Sequence, residues 1–273
     1  IPLVYVFGAT ASGVVYWLGL TVWAGTAQFD GGHAVLFWPL AGLMIPHVWQ
    51  VAKENPYGPG ASVLGWAMAL CLCVATGLTL EKTLPGLWIV VYSGLFAALY
   101  LLGHSVFRGG ASLWQRPLQV VGTVGVVVLS LVLTYEEPWR RIGWTYYRSG
   151  AQFHEWVAIQ DYVLAILVPA VGISLLTVFA RAKEYEKFPF GLVGVLGLVG
   201  FVVMGLVELA VYPMILFNVY LFVLGIYTLV RGVRGERLAL VNGGLMILTA
   251  LIVARFFDSN FSFTVRGIAF VVI

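Results

Sequence analysis

Stretches of about 20 apolar residues recur along this chain, separated by short clusters that hold nearly all of its charge. At that window the apolar runs fall near 3–27, 34–52, 61–80, 87–107, 117–134, 162–180, 190–208, 212–230, 238–254 and from 263 onward. About 20 helical residues at 1.5 Å each cover about 30 Å, the thickness of a bilayer's hydrocarbon core. Backbone polar groups in hydrocarbon must be satisfied within the protein, which leaves helices or a closed barrel. Runs such as 120–133 lack the apolar/polar alternation of a barrel strand. The pattern therefore predicts an all-α polytopic transmembrane bundle of about ten spans, built as a single transmembrane domain over 1–273.

Turn chemistry agrees with the breaks. Asp30-Gly31-Gly32, Asn55-Pro56-Tyr57-Gly58-Pro59-Gly60, Pro85-Gly86 and Arg108-Gly109-Gly110 are connector signals. The stretch 189–230 would reach about 63 Å as one helix, so it must fold as a hairpin, with its turn near 208–213. Pro117 and Pro189 open helices, where a missing donor costs nothing, whereas Pro39, Pro46 and Pro169 fall inside spans and are expected to kink them.

Composition narrows the solvent. Charged residues make up 10% and apolar ones 61%, with a mean hydropathy of +0.96, far from the roughly one-quarter charged content of soluble domains. The net charge of +3 does not signal nucleic acid, because the 15 Lys and Arg are spread among connections rather than massed on one face. Cys71 and Cys73 share one apolar run and read as packing residues, not as a disulfide or zinc site. Starting at Ile1 without a methionine and stopping inside an apolar run at Ile273, the sequence is expected to have flanking residues.

Basic residues set an orientation. The even connections hold nine: Lys53, Arg108, Arg116, Arg181, Lys183, Lys187, Arg231, Arg234 and Arg237. The opposite side holds six, Lys82, Arg140, Arg141, Arg148, Arg255 and Arg266, three of them in the one long loop. The positive-inside rule then places the even connections and the start of the first helix in the cytoplasm. The long connection 135–161 faces outward and carries Trp139, Trp144, Tyr146, Tyr147 and Trp156 beside Arg140 and Arg141. Such a segment either lies on the outer leaflet or docks a partner, since amphipathic rings suit the headgroup region and Trp, Tyr and Arg anchor interfaces.

Candidate chemistry is sparse. An ionisable group at membrane depth is costly, which singles out Glu208 between Val207 and Leu209. A turn just beyond it would hydrate the carboxylate; burial instead would fit it to a proton or cation. Arg255 and Asp258 have the spacing of a helical ion pair, with Arg266 nearby; the alternative is an anion or lipid-headgroup site made by the two arginines. His47 and His104 lie near the cytoplasmic ends of their helices, at the depth where two imidazoles could bracket a haem; ordinary interfacial histidines are the competing reading. No cofactor is specified, and there is no Walker loop, H-E-x-x-H or G-x-S-x-G. Gly122-x-x-Gly125 and Gly191-x-x-Gly194-x-x-Gly197 have the spacing of close helix packing.

The final stretch, from Arg231-Gly232 through Asn242-Gly243-Gly244 to Ala254-Arg255-Phe256-Phe257-Asp258-Ser259 and Ser262-Phe263, then Arg266-Gly267, resembles the end of a family of bacterial multi-pass membrane proteins to which no activity is assigned. The resemblance implies an all-helical protein of the bacterial inner membrane; some members of that family are encoded beside a second membrane protein of the GDYXXLXY type, which implies a heteromeric assembly. The expected function is a non-catalytic integral membrane scaffold or accessory subunit whose partners are the bilayer and other membrane subunits. The alternatives are a transporter or channel for a small solute or ion, and an intramembrane enzyme or haem or pigment carrier.

Overall fold

The computed structural model describes residues 10–29, 33–80, 86–107, 112–140, 142 and 155–256. Among these residues every regular element is a helix. In chain order they are α1 (Thr10–Phe29), α2 (Phe37–Gly42), α3 (Ile45–Glu54), α4 (Pro59–Thr79), α5 (Leu87–Val106), α6 (Pro117–Leu133), α7 (Glu137–Arg140), α8 (Glu155–Arg181), α9 (Phe188–Gly191), α10 (Val193–Val207), α11 (Val211–Arg234) and α12 (Leu238–Phe256).

Seven of the described helical stretches are long and apolar enough to cross a membrane: Ala34–Glu54, Pro59–Thr79, Leu87–Val106, Ile159–Arg181, Tyr185–Val207, Val211–Arg234 and Leu238–Phe256. Three of the ten expected spans are not in that set. The helix α6 is apolar but has 17 residues, at the lower limit of a crossing, and the run from 263 onward lies outside the described residues. The helix α1 has 20 residues, but its Ser, Thr, Gly and Gln positions dilute its apolar character.

The packing centre is α5, which contacts α6, α8 and α10 over long stretches and α4 more briefly. Small residues let it do so. A Cβ placed on Gly122 of α6 would lie 2.4 Å from the Tyr100 backbone nitrogen of α5, so only hydrogen fits at that crossing. Gly197 of α10 likewise sits on Ser93 of α5. Trp17, Phe37, Met44 and Leu64 form a separate cluster joining α1 to α4 and the 34–54 stretch. At the other edge α11 and α12 form a closely packed hairpin, joined to the rest through α10 and α6.

The prolines act differently from one another. Pro39 falls in the first turn of α2, where no helical bond is lost. Pro46 follows a local tightening: between α2 and α3, Leu43 and Met44 keep right-handed helical dihedrals and Met44 bonds back to Ala41 at 3.0 Å, so the 34–54 stretch passes through as one helical path. Pro169 lies inside α8, which continues through it, and Gly94 of α5 packs directly against its ring and backbone.

Contacts between connections sort them into two ends. Gln115 Nε2 donates to the Tyr57 carbonyl at 3.3 Å, and Trp66 stacks on Trp114, tying the second connection to the fourth. Arg231 and Tyr227 reach Glu186, tying the sixth to the eighth. On the opposite side Gln160 Nε2 donates to the Thr79 carbonyl at 2.6 Å, and Tyr135 Oη donates to the Ala254 carbonyl at 3.0 Å. Even connections meet even ones and odd meet odd, as alternating crossings require.

Candidate functional site

The basic end of the α11–α12 hairpin is the most developed polar feature. Arg231 and Arg234 lie in the last turn of α11, where cations favour the negative end of the helix dipole. The chain then reverses through Gly235 and Glu236, the latter at φ 51°, and the Arg237 amide donates to the Gly232 carbonyl at 2.9 Å to close the turn. Against this turn packs the short 185–187 segment, whose Glu186 carboxylate pairs with Arg231. The Arg231 guanidinium and the Tyr227 hydroxyl also donate to the Glu186 carbonyl, at 3.3 and 3.4 Å. Glu184 is paired with Lys187. Arg234 and Arg237 are exposed and form no ion pair among the described residues. Together with Glu186, Tyr227, Val230, Arg231, Gly235 and Leu240 they line an open cavity of about 510 Å³.

The opposite end is knotted by backbone carbonyls. The Thr134 carbonyl, at the C-terminus of α6, accepts from the Arg255 guanidinium and from Asn218 Nδ2 at 3.0 Å. Arg255 also lies over the Tyr135 ring, 5.0 Å from its centroid. One helix end is thereby fixed to both members of the α11–α12 hairpin. Trp139, expected on a lipid- or partner-facing surface, is instead fully buried. Its Nε1 donates to the Leu133 carbonyl at 2.9 Å, and its ring packs on Phe217 and over Gly200. The turn 137–140 folds back beneath α6, which carries the indole inward. Arg140 stays exposed and pairs with Glu136 at 3.0 Å.

Glu208 is exposed and caps α10 in the left-handed region at φ 56°, its amide donating to the Met204 carbonyl at 2.9 Å. It sits at the hairpin turn, between Val207 and the start of α11 at Val211. His47 is buried near Gly13 and Leu64, on α3, which packs against α4. His104 faces its own helix, with Nδ1 2.9 Å from the Tyr100 carbonyl, on α5 beside α6, α8 and α10. The two imidazoles lie on different helices, α3 and α5. Among the described residues no group of three or more His, Cys, Asp or Glu side chains could hold a metal ion. Arg141, Trp144, Tyr146, Tyr147, Asp258 and Arg266 lie outside the described residues, as does the side chain of Trp156.

Three polar residues of structural weight were not singled out from sequence. Asn218 is one amide within an apolar run, Asp161 is fully buried at the start of a span that reads as loop, and Glu186 gives no sign of a partner 45 residues away. Among the described residues the fold is all-helical, and its seven helical stretches long and apolar enough to cross a membrane define a membrane-embedded, multi-pass protein. No family model matches the chain, and no curated protein or solved structure is significantly similar to it.

Proposed function

We propose that the chain is a non-catalytic integral membrane scaffold, an accessory subunit of a larger complex in the bacterial inner membrane. The observation that carries this is the destination of its polar side chains. Tyr16, Tyr92, Trp139, Gln160, Asn218 and Tyr220 all donate to backbone carbonyls of another helix or helix end. Thr76, Thr79, Thr123 and Thr228 return theirs to the preceding turn of their own helix. In a bilayer such bonds fix helix positions. Meanwhile α8, α11 and α12 turn large apolar side chains outward, among them Ile166, Val219 and Met246, toward lipid or a neighbouring subunit. The resemblance of the final stretch to bacterial multi-pass proteins supports the compartment. The basic even connections support a cytoplasmic start for the first helix and an outward-facing 135–161 loop.

Native purification in mild detergent tests the proposal: the chain should be recovered with stoichiometric membrane partners. Recovery as an isolated, monodisperse chain would contradict it. A transporter or channel is the second reading, favoured by the tightened helical turn at Met44, ahead of Pro46 and buried His47, since mid-helix turns of this kind often mark functional hinges. Solute flux in vesicles containing the purified chain alone distinguishes it.

A further inference from the structure

We infer that the cavity between Arg231, Arg234, Arg237 and Tyr227 binds the phosphate headgroup of an anionic membrane lipid, with an acyl chain lying along α11. The inference does not rest on the scaffold proposal. Three observations converge on it.

The first is charge. The segments 181–187 and 231–237, brought together at this end, carry six basic and three acidic side chains. Two carboxylates are already engaged, Glu184 with Lys187 and Glu186 with Arg231. The third, Glu236, is exposed at the turn and makes no ion pair among the described residues, and Arg181 and Lys183 are exposed on the adjoining connection. Three arginines, Arg231, Arg234 and Arg237, therefore line the cavity against one carboxylate, Glu186, which is paired with Arg231; Arg234 and Arg237 are left in excess, with guanidinium forks whose geometry matches phosphate oxygens.

The second is shape. The cavity of about 510 Å³ is open, and Val230 and Leu240 give it an apolar edge. A soluble anion has no use for that edge. A lipid, charged at one end and apolar at the other, does.

The third is the path leading away from it. Val219, Val223, Ile226, Val230 and Val233 are 39 to 62% exposed and recur at four- and three-residue steps, one stripe down a single face of α11. From Val219 to Val233 the stripe runs about 21 Å, more than the roughly 15 Å depth of one leaflet. It ends at the cavity, so a headgroup held by Arg234 and Arg237 delivers its chain directly onto it.

The test is native mass spectrometry of the purified full chain titrated with phosphatidylglycerol, phosphatidylcholine or inorganic phosphate. Each arginine near an anionic headgroup is worth about fivefold in affinity, so the double variant Arg234→Gln/Arg237→Gln should bind phosphatidylglycerol at least about tenfold more weakly. Phosphatidylcholine binding should be unchanged. Glu186→Gln, which releases Arg231, should bind phosphatidylglycerol more tightly. On the unsubstituted chain, phosphatidylglycerol occupancy should fall as salt rises, a reading that needs no variant to fold. Equal affinity for the two lipids, or no loss in the double variant, would overturn the assignment. Displacement by inorganic phosphate, with Val223→Ser binding as tightly as the unsubstituted chain, would give the site to a soluble anion and overturn the lipid assignment.

Discussion

Arg255 shows how one half-buried side chain can join helix ends. Its guanidinium bonds the Thr134 carbonyl and covers the Tyr135 ring, while Asn218 shares the same carbonyl from α11. A helix end would otherwise leave that carbonyl without an intrahelical donor. Hydrogen bonds to charged groups contribute about 1.5–3 kcal/mol each, so Arg255→Gln should destabilise the fold by roughly that amount, read as a lowered thermal midpoint in tryptophan fluorescence. Arg255→Lys should not restore it, because an ammonium cannot both bond the carbonyl and spread over the ring as a planar fork does. A midpoint unchanged in Arg255→Gln would mean the contact carries no stability. Trp139 makes the complementary point. Its sequence setting among aromatics and arginines reads as an interface anchor, yet the local reversal at 137–140 turns it into core. Composition identifies an amphipathic ring but not which way a four-residue turn points it.

At the level of elements, the apolar periodicity and turn residues were enough to place helices. The break of the 189–230 stretch falls where its length and Pro213 demand, with α10 ending at Val207 and α11 beginning at Val211. What hydropathy cannot convey is which face of an all-round apolar helix meets another helix, since lipid and protein interior are equally apolar. The glycines carry part of that information. Gly243 and Gly244 are neighbours in α12, but a Cβ on Gly243 meets nothing within 4 Å, whereas one on Gly244 comes within 2.5 Å of the Leu229 backbone nitrogen of α11. Gly244→Ala should therefore separate the hairpin and lower the thermal midpoint strongly. Gly243→Ala should leave it unchanged or raise it slightly, by up to about 1 kcal/mol of stability, because alanine is the better helix former. Equal effects of the two substitutions would contradict the packing of α11 on α12. The candidate site was less legible than the fold. Arg231, Arg234 and Arg237 register in the sequence as orientation charges, and only the meeting of two connections 45 residues apart gives them Glu186 and a cavity.

For the whole molecule the central claim is that its apolar helices cross a bilayer in alternation, leaving two ends of different character. One end gathers the basic even connections and the cavity at Arg234 and Arg237; the other holds Glu208, Arg140 and the Thr134–Arg255 contact. Single cysteines placed at Tyr57, Glu236, Arg140 and Glu208, all exposed, in a Cys71→Ala/Cys73→Ala background and treated with a membrane-impermeant maleimide in sealed vesicles of defined orientation, test this most directly. Tyr57→Cys and Glu236→Cys should react from one side, Arg140→Cys and Glu208→Cys from the other. Labelling of Glu208→Cys and Glu236→Cys from the same side, or of all four in vesicles of either orientation, would contradict the account.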